Sequence, residues 1–265
     1  MSRLKLYQVL SIVFFLGMVA MNYLAVSLPL GGNTTGELSD MYPNLFTPAG
    51  FTFSIWGVIY TALLVYVIFQ ARSLFKGEAE LADNVIEEIT PWFLVSCICN
   101  ILWIVLWHYQ FMAFSVIVML GILYSLLQIV SRLYFNERLG GLYNKLFFKI
   151  PFGLYFGWIL VATVANITTL LVDLGWNGFG FSEVLWAIIM IVTATLIASF
   201  AAFKLNNIFI GLSVVWALFG IVSKRFDRIE VEPFEALPYL GIACMVILTI
   251  ALFLVAQKKT IARVD

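Results

Sequence analysis

Apolar residues in this chain fall into eight long runs separated by short polar connections, at roughly 6–28, 51–71, 91–109, 111–131, 150–171, 183–203, 207–222 and 236–256. A transmembrane helix needs about 20 mainly apolar residues to cross the hydrocarbon layer. Inside that layer backbone groups have no water to bond, so each run must close its hydrogen bonds internally as a helix. The pattern predicts an all-α, polytopic transmembrane bundle of about eight spans. Only a few residues around His108-Tyr109-Gln110 join the third run to the fourth, which makes those two helices antiparallel neighbours. Residues 72–90 carry Glu78, Glu80, Asp83, Glu87 and Glu88 with helical periodicity, and are expected to form a solvated surface helix. The first run follows Arg3 and Lys5 but is longer than the roughly 7–15 apolar residues of a secretory signal, so it is expected to be a retained span.

Composition agrees with the pattern. Hydrophobic residues make up 63% and charged residues 11% of the chain, with a mean hydropathy of +1.01. Charged residues alone are about a quarter of an average soluble domain, so the lipid bilayer is the surrounding solvent. The 15 basic and 15 acidic residues cancel and form no tract, which excludes nucleic acid as a partner. Cys97, Cys99 and Cys244 all lie in apolar runs, where they read as small apolar residues; they supply neither a disulfide framework nor metal spacing. No cofactor or metal is expected. Lys and Arg concentrate in alternate connections, twelve on the side of the N-terminus and only Lys224, Arg225 and Arg228 on the other. By the positive-inside rule both termini are expected to be cytoplasmic, in a cell (inner) membrane, with the 29–50, 172–182 and 223–235 connections facing outward.

A side-chain amide facing lipid lacks partners, so Asn22, Asn100 and Asn166 mark helix faces turned inward. The same faces carry aromatic rings. Phe53, Trp56 and Tyr60 fall at i, i+3 and i+7 of the second run, and Asn100, Trp103 and Trp107 do so in the third. In the fifth, Tyr155, Trp158, Ala162 and Asn166 continue the stripe to i+11. Trp and Tyr also concentrate at membrane interfaces, and Trp92, Trp107, Tyr109, Trp176 and Trp186, near run ends, read as that belt. For Trp56, Trp103 and Trp158, packing and a shared ligand pocket both remain open. A cavity walled by indoles and reached by a few amides would suit a flat, largely apolar molecule.

These stripes resemble the TspO/translocator family, tryptophan-rich membrane proteins also called peripheral benzodiazepine receptor homologues. The second-span signature of that family is met by the Pro48 lead-in and by Trp56-Gly57-Val58-Ile59-Tyr60, with Ser54 where the family carries proline before Trp. Its third-span Asn-x-x-Trp is met by Asn100 and Trp103, and its fifth-span pattern by Tyr155, Trp158 and Asn166. The resemblance covers about residues 6–171, implying a five-helix bundle there and three additional helices over 172–265. It implies a ligand site lined by Trp56, Tyr60, Asn100, Trp103, Tyr155, Trp158 and Asn166, taking a tetrapyrrole such as protoporphyrin IX or a sterol-like molecule, with a sensory or transport-related role. Porphyrin breakdown is implied by the resemblance alone, because no placed acid, base, nucleophile or metal is evident and no catalytic residue is named.

Other features carry less. His108, the only histidine, reads as a solvated turn residue, and Glu183 after Ser182 reads as a favourable acid at a capped helix start. Val130-Tyr134-Arg138 and Leu139-Tyr143-Lys145 match a proposed cholesterol-recognition pattern that arises readily by chance. Gly153-x-x-x-Gly157 suits close helix contact, either within the bundle or across a homodimer. The alternative function is a small-molecule secondary transporter or permease, for which Thr193, Thr195 or Ser199 of the sixth run would face the same cavity as Asn100 and Asn166.

Overall fold

The computed structural model describes residues 2–28, 30–74, 81–136, 141–227 and 236–261. Lys76, Glu78, Glu80, Arg138, Leu139, Arg228 and Arg263 lie outside the described residues. All eight apolar runs form long helices: Arg3–Ser27, Gly50–Leu74, Ala82–His108, Met112–Phe135, Lys145–Asp173, Glu183–Lys204, Ile208–Asp227 and Ala236–Gln257. They are called the first to eighth spans below. The chain divides into two compact bodies, one of Met1–Thr34 with Trp56–Phe156 and the other of Thr35–Ile55 with Gly157–Asp265.

In the first body the third span packs against both the first and the fourth. Small residues bring the helices together: Gly17 faces Ile101, and Gly121 leaves room for the Cys99 sulfur. The hairpin between the third and fourth spans closes as expected. Gln110 takes a left-handed φ of 60°, and the Phe111 amide donates to the Leu106 carbonyl at 2.8 Å.

Residues 81–90 differ from expectation. They are no separate surface helix but the opening turns of one helix, Leu81–His108, which runs through Pro91. Proline inside a helix forfeits one backbone hydrogen bond, and burial of Ala82, Val85, Ile86 and Ile89 along one face offsets that loss. Of the acids in these turns Asp83 is buried with the stripe, while Glu87 and Glu88 lie at its outer edge. Glu88 reaches the fourth span, accepting from Asn136 Nδ2 at 2.8 Å and pairing with Arg132 at 3.8 Å.

At the opposite end of the second span from Trp56, a buried polar knot joins helices through their backbones. Gln8 donates through Nε2 to the Gln70 carbonyl and to Ser73 Oγ, both at 2.6 Å. Gln70 returns a bond to the Gln8 carbonyl at 3.1 Å, and Ser73 donates to Asp83 at 3.1 Å. These residues carried no distinctive sequence signal, since single polar positions near run ends look like ordinary termini.

In the second body the sixth, seventh and eighth spans pack on one another. Gly157 sits where a Cβ would run into the Ile210 carbonyl, so the close contact foreseen for this glycine is made within the chain, with the seventh span. The turn Gly50–Ser54 docks on the same span: Ala49 donates to the Gly220 carbonyl at 3.0 Å, and Trp216 Nε1 donates to the Thr52 carbonyl at 2.9 Å. Gly220 is required there because a Cβ would overlap the Thr52 side chain. The fifth span opens with a π-helical turn, Lys145–Lys149, and continues as α-helix Ile150–Asp173, with Pro151 in the first α-turn.

Candidate functional site: an aromatic cluster around an amide relay

Five of the seven residues expected at the site converge in the first body. Trp56 and Tyr60, one turn apart on the second span, stack with ring centroids 5.3 Å apart and an interplanar angle of 18°. Trp56 also meets Trp103 at 6.3 Å and the edge of Tyr155 at 5.9 Å. Trp103 in turn stacks on Trp107 at 5.7 Å. Centroid separations of 4.5–7 Å with offset or edge geometry are those aromatic pairs prefer, so the rings hold one another in place.

Beside these rings runs a relay of hydrogen bonds. Asn22 Nδ2 donates to Asn100 Oδ1 at 2.7 Å, and Asn100 Nδ2 donates to the Tyr155 hydroxyl at 3.2 Å. Asn22 also donates to the Met18 carbonyl at 2.9 Å. Asn100 and Tyr155 are fully buried, so the relay satisfies polar groups where water could not. The Tyr60 hydroxyl is buried beside Asn100 and Tyr155 without closing a hydrogen bond of good geometry. Trp56 and Tyr60 are themselves only partly buried, unlike Trp103 and Tyr155.

Trp158 and Asn166 belong to the second body. Both are buried, and Trp158 meets the edge of Phe53 at 6.0 Å with an interplanar angle of 83°. In the sixth span Thr195 is buried and Thr193 exposed. The Thr195 and Ser199 hydroxyls donate to carbonyls one turn back, Ile191 and Thr195, each at 2.8 Å.

Two readings of residues near span ends need correction. Trp107 belongs to the buried stack and not to an interfacial belt, with only 4% of its surface exposed. His108 is buried as well, at 1% exposure, where a solvated turn was expected. The cause lies in the turn after the first span: Gly31, at φ 67°, passes so close to the His108 carbonyl that no Cβ would fit, and His108 Nδ1 turns back to the Ile104 carbonyl at 2.8 Å. Tyr109 does stay exposed.

A family model described as TSPO-like protein matches residues 8–254. The chain belongs to the TSPO-like family. The match continues through the last three spans, beyond the stretch whose motifs carry the resemblance, so this is an integral membrane protein of TspO type along nearly its whole length. No curated protein and no solved structure matches the chain.

Proposed function

We propose that this TSPO-like protein binds a flat, largely apolar molecule, a tetrapyrrole or a sterol-like ring system, at the aromatic cluster of its first body, in a sensory or transport-related role. The observation that carries this reading is the pairing of Trp56, Tyr60, Trp103 and Tyr155 with the Asn22–Asn100–Tyr155 relay. Rigid rings offer contact area to a planar ligand at low entropic cost, and the neighbouring amide and hydroxyl groups orient it. The relay is uncharged, which suits recognition of a ring system rather than of an ion. Porphyrin turnover is not proposed, because the cluster offers stacking and hydrogen bonding but no acid–base pair. The positive-inside bias supports an arrangement with both termini cytoplasmic. Equilibrium titration of the purified full chain with protoporphyrin IX tests the reading. Saturable binding weakened by Trp56→Leu is expected, and binding indifferent to that substitution would exclude this site.

A further inference from the structure

The geometry points to a second, separate ligand site in the second body, shaped for a hydrophobic ammonium: an apolar molecule bearing an amine or quaternary ammonium group. A cavity of 610 Å³ opens between the C-terminal half of the fifth span and the start of the sixth. That volume falls within the range of small-molecule sites, roughly 300–1,000 Å³. Ile167, Leu171 and Met190 form its apolar wall, and Trp176 and Trp186 stand over it with centroids 4.9 Å apart and planes inclined at 58°. Among the described residues Glu183 is the one charged side chain lining it.

The loop before the sixth span holds the Trp186 indole, which in turn packs against Trp176. Trp186 Nε1 donates to the Gly178 carbonyl at 2.9 Å, and Gly178, at φ 63°, would place a Cβ only 3.0 Å from that nitrogen. Asn177 Oδ1 accepts from the Phe179 amide at 3.1 Å, fixing the turn. Ser182 Oγ accepts from the Leu185 amide and so sets Glu183 in the first turn of the sixth span. Glu183 also borders a smaller recess with Asp40, Lys224 and Arg225. Lys224 there is paired with Asp40, and Glu183 forms no ion pair among the described residues.

A carboxylate with no ion pair among the described residues, lining one cavity with two indoles and no other described charge, is complementary to a cation carried on an apolar body. The carboxylate attracts the charge, the rings supply cation–π contact, and the wall buries the remainder. Interfacial anchoring alone accounts for a Trp at a span end. It does not account for one Trp ring bonded to a left-handed glycine and packed on a second indole over a cavity whose described lining has a single acid.

The test uses the full chain in uncharged maltoside micelles and two fluorescent probes of matched shape, pyrenebutyl-trimethylammonium and pyrenebutanol, read by energy transfer from Trp to pyrene. The ammonium should bind saturably, and Met190→Trp, which fills the cavity, should abolish that component. Glu183→Gln should weaken it about three- to five-fold, the scale of an exposed charge pair. Unchanged thermal melting of both variants shows that the fold is kept. Equal binding of the neutral probe, or a saturable component that survives Met190→Trp, would overturn the assignment, as would absence of saturable ammonium binding. Protoporphyrin IX titration of the same variants should be unaltered.

Discussion

Asn22 on the first span donates to Asn100 on the third at 2.7 Å, a buried polar tie between two helices that pack on each other. In lipid the apolar contacts discriminate poorly between helix registers, whereas an amide pair fits only one. Loss of Asn100 also strips the Tyr155 hydroxyl of its partner. Asn100→Leu is therefore expected to destabilise the first body by about 1–3 kcal/mol, and Asn22→Leu by about 1 kcal/mol, since each such bond in a membrane is worth roughly 0.6–1.7 kcal/mol. Reversible unfolding of a double-mutant cycle checks this, and strict additivity would mean that the bond contributes nothing.

Two glycines of similar sequence context should behave in opposite ways. Gly157→Ala forces a methyl group into the Ile210 carbonyl, which is helix backbone and cannot yield, and should cost about 1–3 kcal/mol. Gly57→Ala meets nothing within 4 Å, and removing a helical glycine should leave stability unchanged or raise it by up to about 1 kcal/mol. Thermal melting in detergent distinguishes the two.

The polar knot at Gln8 is expected to be structural. Gln8→Leu leaves the Gln70 carbonyl and Ser73 without their buried donor, at a cost of about 1–3 kcal/mol. Ligand binding by the folded fraction should be unaffected, because none of the knot's residues belongs to the aromatic cluster.

Tyr42, outside the spans, offers a pH test. Partial burial, and then the nearby Asp173 carboxylate, raise its phenol above the usual value near 10. The folded state thus holds the proton more tightly than the unfolded chain. This contribution to stability is fully present below pH ~10 and is lost as pH rises through the folded-state value. Spectrophotometric titration should show Tyr42 ionising late, and Asp173→Asn should bring its midpoint down.

The spans were legible because hydropathy over some twenty residues overwhelms every local signal. The site was legible in part for a related reason: an amide or indole at helical spacing within a span must face inward, and Asn22, Asn100 and Trp103 do. What stayed hidden depends on the path of neighbouring segments. Nothing in the sequence around His108 shows that Gly31 folds over it, and Trp107 looked interfacial only because it lies one residue from a span end. Acids at 81–90 resembled a solvated helix because charge usually marks exposure, yet only Glu87 and Glu88 lie on the open face; Val85, Ile86 and Ile89 are buried, and Asp83 is buried with them as the acceptor of Ser73. The cavity under Trp176 and Trp186 arises from residues scattered over 43–45, 164–172 and 176–190, a convergence that no linear motif records.

The most direct measurement of the central claim is a protoporphyrin IX titration followed by the shift of the porphyrin's Soret band, comparing wild type, the double variant Trp56→Leu/Trp103→Leu, and Trp92→Leu as a control outside the cluster. Each stacked ring is worth roughly 0.5–1.5 kcal/mol, so the double variant should bind about ten-fold more weakly, with wild type and Trp92→Leu alike. A double variant that binds as tightly as wild type would contradict the account.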